Sequence, residues 1–206
     1  MTDPTAPAGP SGAFPIGGGV FLAVVGPSGA GKDSVIAFAH ARLKAEPRVQ
    51  FARRVITRPS DPAAEDHETL DEAAFAAERG RGAFALTWSS HGLDYGIPVS
   101  VDEVVGSGAV AVANISRGMV PTLRSRYRNV AVAHVTASRE ALAHRLSSRG
   151  RESQSEVLQR LARNQDYAKG IEGVFTIDNS GPLDVAGSLF LAFIRDRIEV
   201  GLRFRG

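Results

Sequence analysis

The chain has 206 residues, about the size of one domain, and its 24 basic and 22 acidic residues leave a formal net charge of only +2. The basic residues are spread along the sequence rather than grouped, so we expect no nucleic-acid partner. The absence of cysteine excludes disulfides, thiolate catalysis and cysteine-bound metal.

The N-terminal segment predicts a disordered tail over residues 1–18, because it is rich in Pro, Gly and Ala and has little to bury. The folded domain is then expected over 19–206. The sequence lacks the basic start and apolar run of a signal peptide, and no apolar run approaches the roughly 20 residues that span a bilayer. We therefore expect a cytoplasmic protein without a membrane partner. The sequence leaves the oligomeric state open, and a homodimer is one alternative.

The first strong pattern is "VFLAVVG", Val20 to Gly26, an apolar and β-branched run that predicts a strand buried on both faces of a parallel sheet. A glycine-rich turn follows, and then a helix that Pro47 ends. That helix is expected to bury one face, formed by Val35, Ile36, Ala39 and Leu43.

Further elements are predicted from the spacing of apolar residues and from turn residues. The first half gives a strand over 49–58, an exposed loop over 58–70, a short helix over 71–79, a strand over 83–88 and turn glycines around Tyr95 over 91–99. The second half gives strands over 109–114, 129–137 and 173–179, and helices over 117–127, 138–148, 153–168 and 183–200.

Buried strands that alternate with helices predict an α/β fold with a doubly wound, mostly parallel sheet. The segment over about 59–100 interrupts this alternation with loops and an extra strand. It is therefore predicted to be a small inserted lobe.

The stretch "GPSGAGKDS" meets the phosphate-binding pattern G-x-x-x-x-G-K-[ST] except at its last position. In such a loop, backbone N–H groups and the helix dipole hold phosphates, and the lysine reaches the β- and γ-phosphates. Lys32 is accordingly predicted to be catalytic. The predicted ATP-binding residues are Gly26, Pro27, Ser28, Gly29, Ala30, Gly31, Lys32, Asp33 and Ser34.

Asp33 stands where the pattern has a magnesium-binding hydroxyl. We predict that its carboxylate holds Mg²⁺, directly or through a water. The alternative needs no ligand, because an acid in the first turn stabilises a helix by roughly 0.3 to 1 kcal/mol. Ser34 cannot replace Asp33, because the next residue of a helix points about 100 degrees further round its axis.

Six segments together resemble a known family: "GPSGAGKDS", "RRVITR", "EDHETL", "FALTWSSHGLDYGI", "VANISR" and "LSSRGRE". In this order, between about Phe21 and Asn179, they are similar to the ribose 1,5-bisphosphate phosphokinases of bacterial phosphonate catabolism, which are relatives of guanylate kinase. The resemblance implies a P-loop kinase fold with an acceptor-binding lobe and a helical lid. It also implies transfer of the γ-phosphoryl group of ATP to ribose 1,5-bisphosphate, which gives 5-phosphoribosyl 1-diphosphate. Members commonly carry "GKDS", so Asp33 belongs to the pattern.

The resemblance also assigns an acceptor site. Arg58 matches the arginine with which guanylate kinase binds its acceptor phosphate, and a solvated loop arginine is the alternative. The remaining acceptor candidates are Arg54, Glu68 with its neighbour His67, Tyr95, Asn114 and Arg145. For Glu68 and Tyr95, plain solvation and ring packing stay open as alternatives. The guanine-reading tyrosine and the proline-arginine pair of guanylate kinase are absent, which favours a sugar phosphate without a base.

The lid is implied over about 149–168. Its preferred catalytic arginines are Arg149 and Arg151, which flank Gly150 and would neutralise charge on the transferred group. A salt-bridged exposed helix is the alternative. Asn179 is assigned to the nucleotide side, like a loop of guanylate kinase near adenine.

Two rival functions remain at this stage. One is guanylate kinase or another nucleoside monophosphate kinase, with the same architecture and a different acceptor. The other is a non-catalytic interaction module of guanylate-kinase type. Such modules usually lose the loop lysine and glycines, whereas Gly29, Gly31 and Lys32 are intact here.

Overall fold

A five-stranded parallel sheet forms the centre of the molecule. The computed structural model describes residues 15–58, 67–147 and 170–203. The strand order is β2-β7-β1-β8-β9. The strands are β1 (Val20–Val25), β2 (Val49–Phe51), β7 (Val110–Asn114), β8 (Val130–Thr136) and β9 (Val174–Asp178). Because β1 pairs with β7 on one side and β8 on the other, all six of its residues are buried, which explains its continuous apolar run.

Helices cover both faces of this sheet. Leu22 and Val24 of β1 pack into a core cluster on one face, and Phe21, Ala23 and Val25 pack into a second cluster on the other. The described helices are α1 (Lys32–Arg42), α2 (Glu72–Gly80), α3 (Val101–Gly106), α4 (Val120–Arg126), α5 (Arg139–Ser147) and α6 (Leu183–Arg203). A short 3₁₀ turn, Arg117–Met119, precedes α4. Successive residues of β1 are thus buried on opposite faces of the sheet, and both faces are covered by helices, which confirms the predicted doubly wound, mostly parallel α/β fold.

A second, four-stranded sheet has the order β4-β3-β6-β5. Its strands are β3 (Val55–Ile56), β4 (Glu68–Thr69), β5 (Phe84–Ser90) and β6 (Leu93–Pro98). Strands β5 and β6 form an antiparallel hairpin that turns at His91 and Gly92. This sheet lies within and just before the segment that the sequence predicted as an inserted lobe.

Three predicted elements of this region were wrong, and one is the exposed loop over 58–70, whose end forms strand β4 of the second sheet. The single strand over 49–58 is divided, because the chain leaves the parallel sheet after Phe51 and enters the second sheet at Val55. Tyr95 lies within strand β6 and not in a turn. Position 96 of this strand is a glycine because the ring of Phe84 lies across it, only 2.6 Å from where a Cβ would stand.

Two shorter features were missed by the sequence patterns. Helix α3 has only six residues, too few to show a period, although it buries Val101 and Val105. Ile16, within the predicted tail, bridges to Tyr127 through backbone hydrogen bonds with Arg126 and Arg128. The predicted boundary at residue 18 is therefore too late, because the apolar Ile16 side chain packs on the core.

Other predicted segments lie outside the described residues. These are residues 1–14, the loop over 59–66 and the lid with its helix over 153–168. Among the helices that the structure describes, none is both long enough and apolar enough to cross a membrane.

Candidate active site

The glycine-rich loop leaves β1 at the carboxyl edge of the parallel sheet. Strand β7 ends there at Asn114, and β9 is followed there by Asn179, because parallel strands bring their carboxyl ends to one edge. Ligands of open α/β sheets bind at this edge. The fold therefore brings the loop, Asn114 and Asn179 together at one edge of the sheet.

Gly31 fixes the shape of the loop where it enters α1. Its φ of 83° lies in the left-handed region, and a Cβ there would stand 2.4 Å from Nδ2 of Asn179. The buried Asn179 side chain donates from Nδ2 to the carbonyl of Ala30 at 2.8 Å. Asn179 thus secures the loop itself.

Arg145 lies on the nucleotide side of the edge. Its Nη2 donates to the carbonyl oxygen of Asn179 at 2.7 Å, and its Nη1 lies 3.8 Å from where a Gly31 Cβ would stand. The sequence predicted Arg145 as an acceptor ligand. Its position next to the loop indicates instead a group that supports the nucleotide cradle.

Lys32 begins α1 and turns back over the loop. Its Nζ donates to the carbonyls of Gly26 at 2.8 Å and Pro27 at 3.0 Å. This places the ammonium beside the backbone that would face phosphate. The buried imidazole of His134, in β8, has its pKa lowered by burial and by the charge of Lys32. The sequence signal of this residue is a polar side chain inside the apolar run "VAVAHVT", which indicates a buried histidine but not its proximity to Lys32.

Asp33 extends from the first turn of α1 towards the rest of the site. Its side chain is 49% exposed and its Oδ1 lies 3.8 Å from Nη2 of Arg54. The same oxygen accepts a hydrogen bond from Nδ2 of Asn114 at 2.7 Å. Among the described residues no hydrogen bond involves Oδ2 of Asp33. Ser34 is exposed on the next position of the helix.

Arg54 links this carboxylate to the second sheet. Its side chain is only 11% exposed, and its guanidinium carbon lies 5.9 Å from the ring centroid of Tyr95. Tyr95 stacks on Trp88 with 5.2 Å between centroids and an angle of 4°. Burial lowers the pKa of Arg54, and the negative charge of Asp33 opposes that effect. Arg54 therefore lies between the nucleotide loop and the lobe.

A positive cluster surrounds His67 at the start of β4. His67 is only 7% exposed, and its pKa is lowered first by burial and then by Arg58, Arg54 and Arg53. Nη2 of Arg53 donates to the carbonyl of His67 at 3.2 Å. Nε of Arg58 is buried, and no described residue accepts a hydrogen bond from it. Such a cluster suits a dianionic ligand.

The remaining predicted site residues are Glu68 and the two lid arginines. Glu68 is exposed and aligned with Val55 in the pairing of β4 with β3. The lid arginines Arg149 and Arg151 lie outside the described residues, so their role stays a prediction.

The donor groups at this edge fit magnesium rather than a metal held by protein alone. Within the described residues, no three His, Cys, Asp or Glu side chains are grouped closely enough to hold a metal ion. Mg²⁺ is usually bound by one or two carboxylates, with phosphate oxygens and waters as the other ligands. The half-exposed Asp33 carboxylate next to a phosphate-binding loop meets that requirement.

Comparison with known proteins assigns the chain to a family, although no protein-family model matches it. It is 51% identical over 183 residues to a ribose 1,5-bisphosphate phosphokinase from Chelativorans sp. strain BNC1, with 88% of each chain covered. The chain belongs to the ribose 1,5-bisphosphate phosphokinase family. Another member, from Pseudofrankia inefficax, is 49% identical and covers 88% of this chain and 93% of its own. The family predicted from the six segments is therefore confirmed.

Comparison with solved structures shows which fold the chain shares. Guanylate kinase from Anaplasma phagocytophilum covers 90% of this chain and 92% of its own, with a TM-score of 0.62 and 17% identity. At that identity the likeness concerns the fold alone. It confirms the guanylate-kinase-like P-loop kinase fold that the sequence predicted.

Proposed function

We propose that this chain transfers the γ-phosphoryl group of ATP to the 1-phosphate of ribose 1,5-bisphosphate, giving 5-phosphoribosyl 1-diphosphate and ADP in organic phosphonate catabolism. The observation that carries the proposal is the position of Arg54, between Asp33 of the phosphate-binding loop and Tyr95 of the second sheet. A cation there can screen the repulsion between a donor and an acceptor phosphate. Family membership supports the choice of acceptor.

The loop provides the ATP site in this proposal. Its backbone N–H groups and the start of α1 bind the phosphates, and Lys32 moves from the carbonyls of Gly26 and Pro27 to the β- and γ-phosphates. Asp33 would hold Mg²⁺, whose charge stabilises the phosphate oxygens of ATP.

The acceptor needs little activation, because it is already an anion. One of its phosphate oxygens forms the new P–O bond as the bond between the γ-phosphorus and the bridging oxygen of ADP breaks. No covalent enzyme intermediate and no general base are needed. Arg54 and Arg58 would bind the acceptor phosphates, and Asn114, Glu68 and Tyr95 would contact sugar or phosphate oxygens. Arg149 and Arg151 would close over the transferred group.

Guanylate kinase activity is the nearest alternative, since the fold is shared. It is disfavoured by the cluster around His67, where arginines surround a buried imidazole, and by the segment "EDHETLDEAAF", which lacks the guanine-reading tyrosine of guanylate kinase. A non-catalytic interaction module is disfavoured by the intact Lys32 and Gly31.

An acceptor panel tests the proposal. Purified protein is given ATP and Mg²⁺ with ribose 1,5-bisphosphate, ribose 5-phosphate, GMP or AMP, and ADP release is measured with the product identified by mass spectrometry. We expect turnover with ribose 1,5-bisphosphate to exceed that with GMP by at least 100-fold. Faster turnover with GMP would assign the chain to the nucleoside monophosphate kinases. Failure to bind ATP with Mg²⁺ in calorimetry would support an interaction module.

The setting of the activity is proposed as well. ATP and sugar phosphates are cytoplasmic metabolites, so we place the enzyme in the cytoplasm, with small molecules and no nucleic acid or membrane as partners. A homodimer stays a prediction. Light scattering after size exclusion would measure the mass in solution.

A further inference from the structure

Asp33 contacts the acceptor side of the site as well as belonging to the nucleotide loop. Its Oδ1 accepts a hydrogen bond from Asn114 at 2.7 Å and lies 3.8 Å from Nη2 of Arg54. Asn114 ends β7, and Arg54 directly precedes β3 of the second sheet. One carboxylate oxygen thus joins three elements: helix α1, the parallel sheet and the lobe.

Arg54 needs a carboxylate partner because it is largely buried. Taking a guanidinium out of water is costly unless an opposite charge and hydrogen bonds compensate. Three like charges lie around His67, those of Arg53, Arg54 and Arg58, and they repel one another. Burial and the charge of Arg58 both disfavour the charged form of Arg54. Asp33 is the first group that opposes this effect.

A hydroxyl at position 33, as in the usual loop pattern, would not serve in this way. A serine side chain is shorter and neutral, so it could neither reach the Asn114 amide in the same geometry nor balance the charge of Arg54. The carboxylate has two oxygens. Oδ1 contacts Arg54 and Asn114, so a role in positioning them leaves the second oxygen for the proposed magnesium site.

We propose that Asp33 is a positioning residue for the acceptor: its carboxylate holds Arg54 and Asn114 so that the guanidinium is aimed at the acceptor phosphate before the nucleotide binds. The inference deepens the proposed function and rests on it for the identity of the acceptor. It assigns to the unusual loop residue a role that needs neither ATP nor metal.

The deciding experiment removes nucleotide and metal. Binding of ribose 1,5-bisphosphate is measured by calorimetry in EDTA, without ATP, for the wild type, Asp33→Ser, Asp33→Asn, Arg54→Ala and the double variant Asp33→Ser/Arg54→Ala. We expect Asp33→Ser to raise the acceptor Kd about 10-fold, as expected for loss of a charged hydrogen bond. Asp33→Asn keeps an acceptor for Asn114 but not the charge, so its Kd should be intermediate.

Non-additivity separates positioning from general damage. If Asp33 acts through Arg54, the double variant should bind the acceptor no more weakly than Arg54→Ala alone. Asp184→Ser is the matched control, because Asp184 is also an exposed acid in the first turn of a helix. It should leave the acceptor Kd unchanged, and thermal unfolding confirms that each variant is folded. An Asp33→Ser variant with unchanged acceptor Kd in EDTA, or additive effects in the double variant, would overturn the inference.

A second measurement does not depend on the acceptor. In the ligand-free protein the Nη–H signals of Arg54, assigned by their loss in Arg54→Lys, are expected to be protected from exchange with water, and to lose that protection in Asp33→Ser but not in Asp184→Ser. If the wild type does not bind ribose 1,5-bisphosphate, the proposed substrate is wrong, and these signals alone decide the role of Asp33. Arg54 signals equally protected in Asp33→Ser would refute that role.

Discussion

The nucleotide loop and the acceptor side are built in different ways. The loop is one continuous stretch, Gly26 to Ser34, although the distant Asn179 secures it at Ala30. The proposed acceptor side is assembled from separate segments that contribute Arg54, His67, Tyr95 and Asn114. A continuous loop can be recognised from sequence, whereas an assembled site needs the fold before its members can be connected. Asp33 belongs to both regions, so it is where the comparison can be tested.

The largest effect should come from the loop. Lys32→Ala removes the ammonium that would bind the β- and γ-phosphates, so we expect turnover to fall about 100- to 1000-fold or more while the protein stays folded. Steady-state kinetics with ADP detection measures this. Lys44→Ala is the control, since Lys44 is exposed just beyond the end of α1. Near-normal turnover in Lys32→Ala would mean that the loop is not the catalytic phosphate site.

Gly31→Ala should weaken nucleotide binding without removing a charge. The new Cβ would meet Nδ2 of Asn179 at 2.4 Å in a backbone with φ of 83°. We expect the ATP Kd to rise at least 10-fold and the free energy of unfolding to fall by about 1 to 3 kcal/mol. Gly106→Ala is the control, because the new Cβ at the end of α3 would meet nothing within 4 Å. It should neither raise the ATP Kd nor lower the free energy of unfolding. Equal ATP affinity in both variants would contradict the described loop geometry.

Tyr95 allows the acceptor side to be altered while the loop is left intact. Tyr95→Ala removes the ring that stacks on Trp88 and lies beside Arg54, so we expect the acceptor Kd to rise about 3- to 10-fold with the ATP Kd unchanged. Tyr95→Phe keeps the ring. If Phe restores acceptor binding, ring packing is the role of Tyr95; if Phe binds as weakly as Ala, the hydroxyl contacts the acceptor. If Tyr95→Ala changed only the ATP affinity, Tyr95 would belong to the nucleotide site and not to the acceptor side.

The smallest effect concerns pH and His67. Because burial and three arginines lower its pKa in the folded protein, the unfolded chain binds more protons between that pKa and the ordinary value near 6.5. Stability should therefore be fully present above the ordinary value and decrease as the pH falls towards the folded pKa, by at most about 1.4 kcal/mol per pH unit. Urea unfolding at pH 7.5 and 5.5 measures this. His67→Asn should lose less stability than the wild type over that range, and an equal loss would show that His67 is not the group responsible.

Much of the fold followed from the sequence because it depends on local pattern. The apolar run of β1 and the helical face of α1 reflect burial on both sides of one sheet. The strand over 49–58 was mispredicted because only Arg53 and Arg54 separate its two apolar stretches, and only hydrogen bonding to different partners reveals that the chain changes sheets between them. The short helix α3 gave no periodic signal.

The site shows the same division. The loop residues could be predicted because backbone shape and phosphate chemistry restrict them to a fixed spacing. The ion pair of Asp33 with Arg54 could not, because it depends on the placement of two sheets relative to helix α1. The position of Arg145 on the nucleotide side depends likewise on the placement of α5 next to Asn179.

The stack of Trp88 on Tyr95 gives this enzyme a built-in optical probe. Trp88 is the single tryptophan of the chain, so its fluorescence comes from one place, at the lobe and next to the ring beside Arg54. Indole emission responds to stacking and to nearby charge. Filling of the acceptor side can therefore be followed in the natural protein, without a dye, while ATP bound alone at the loop should change the emission much less.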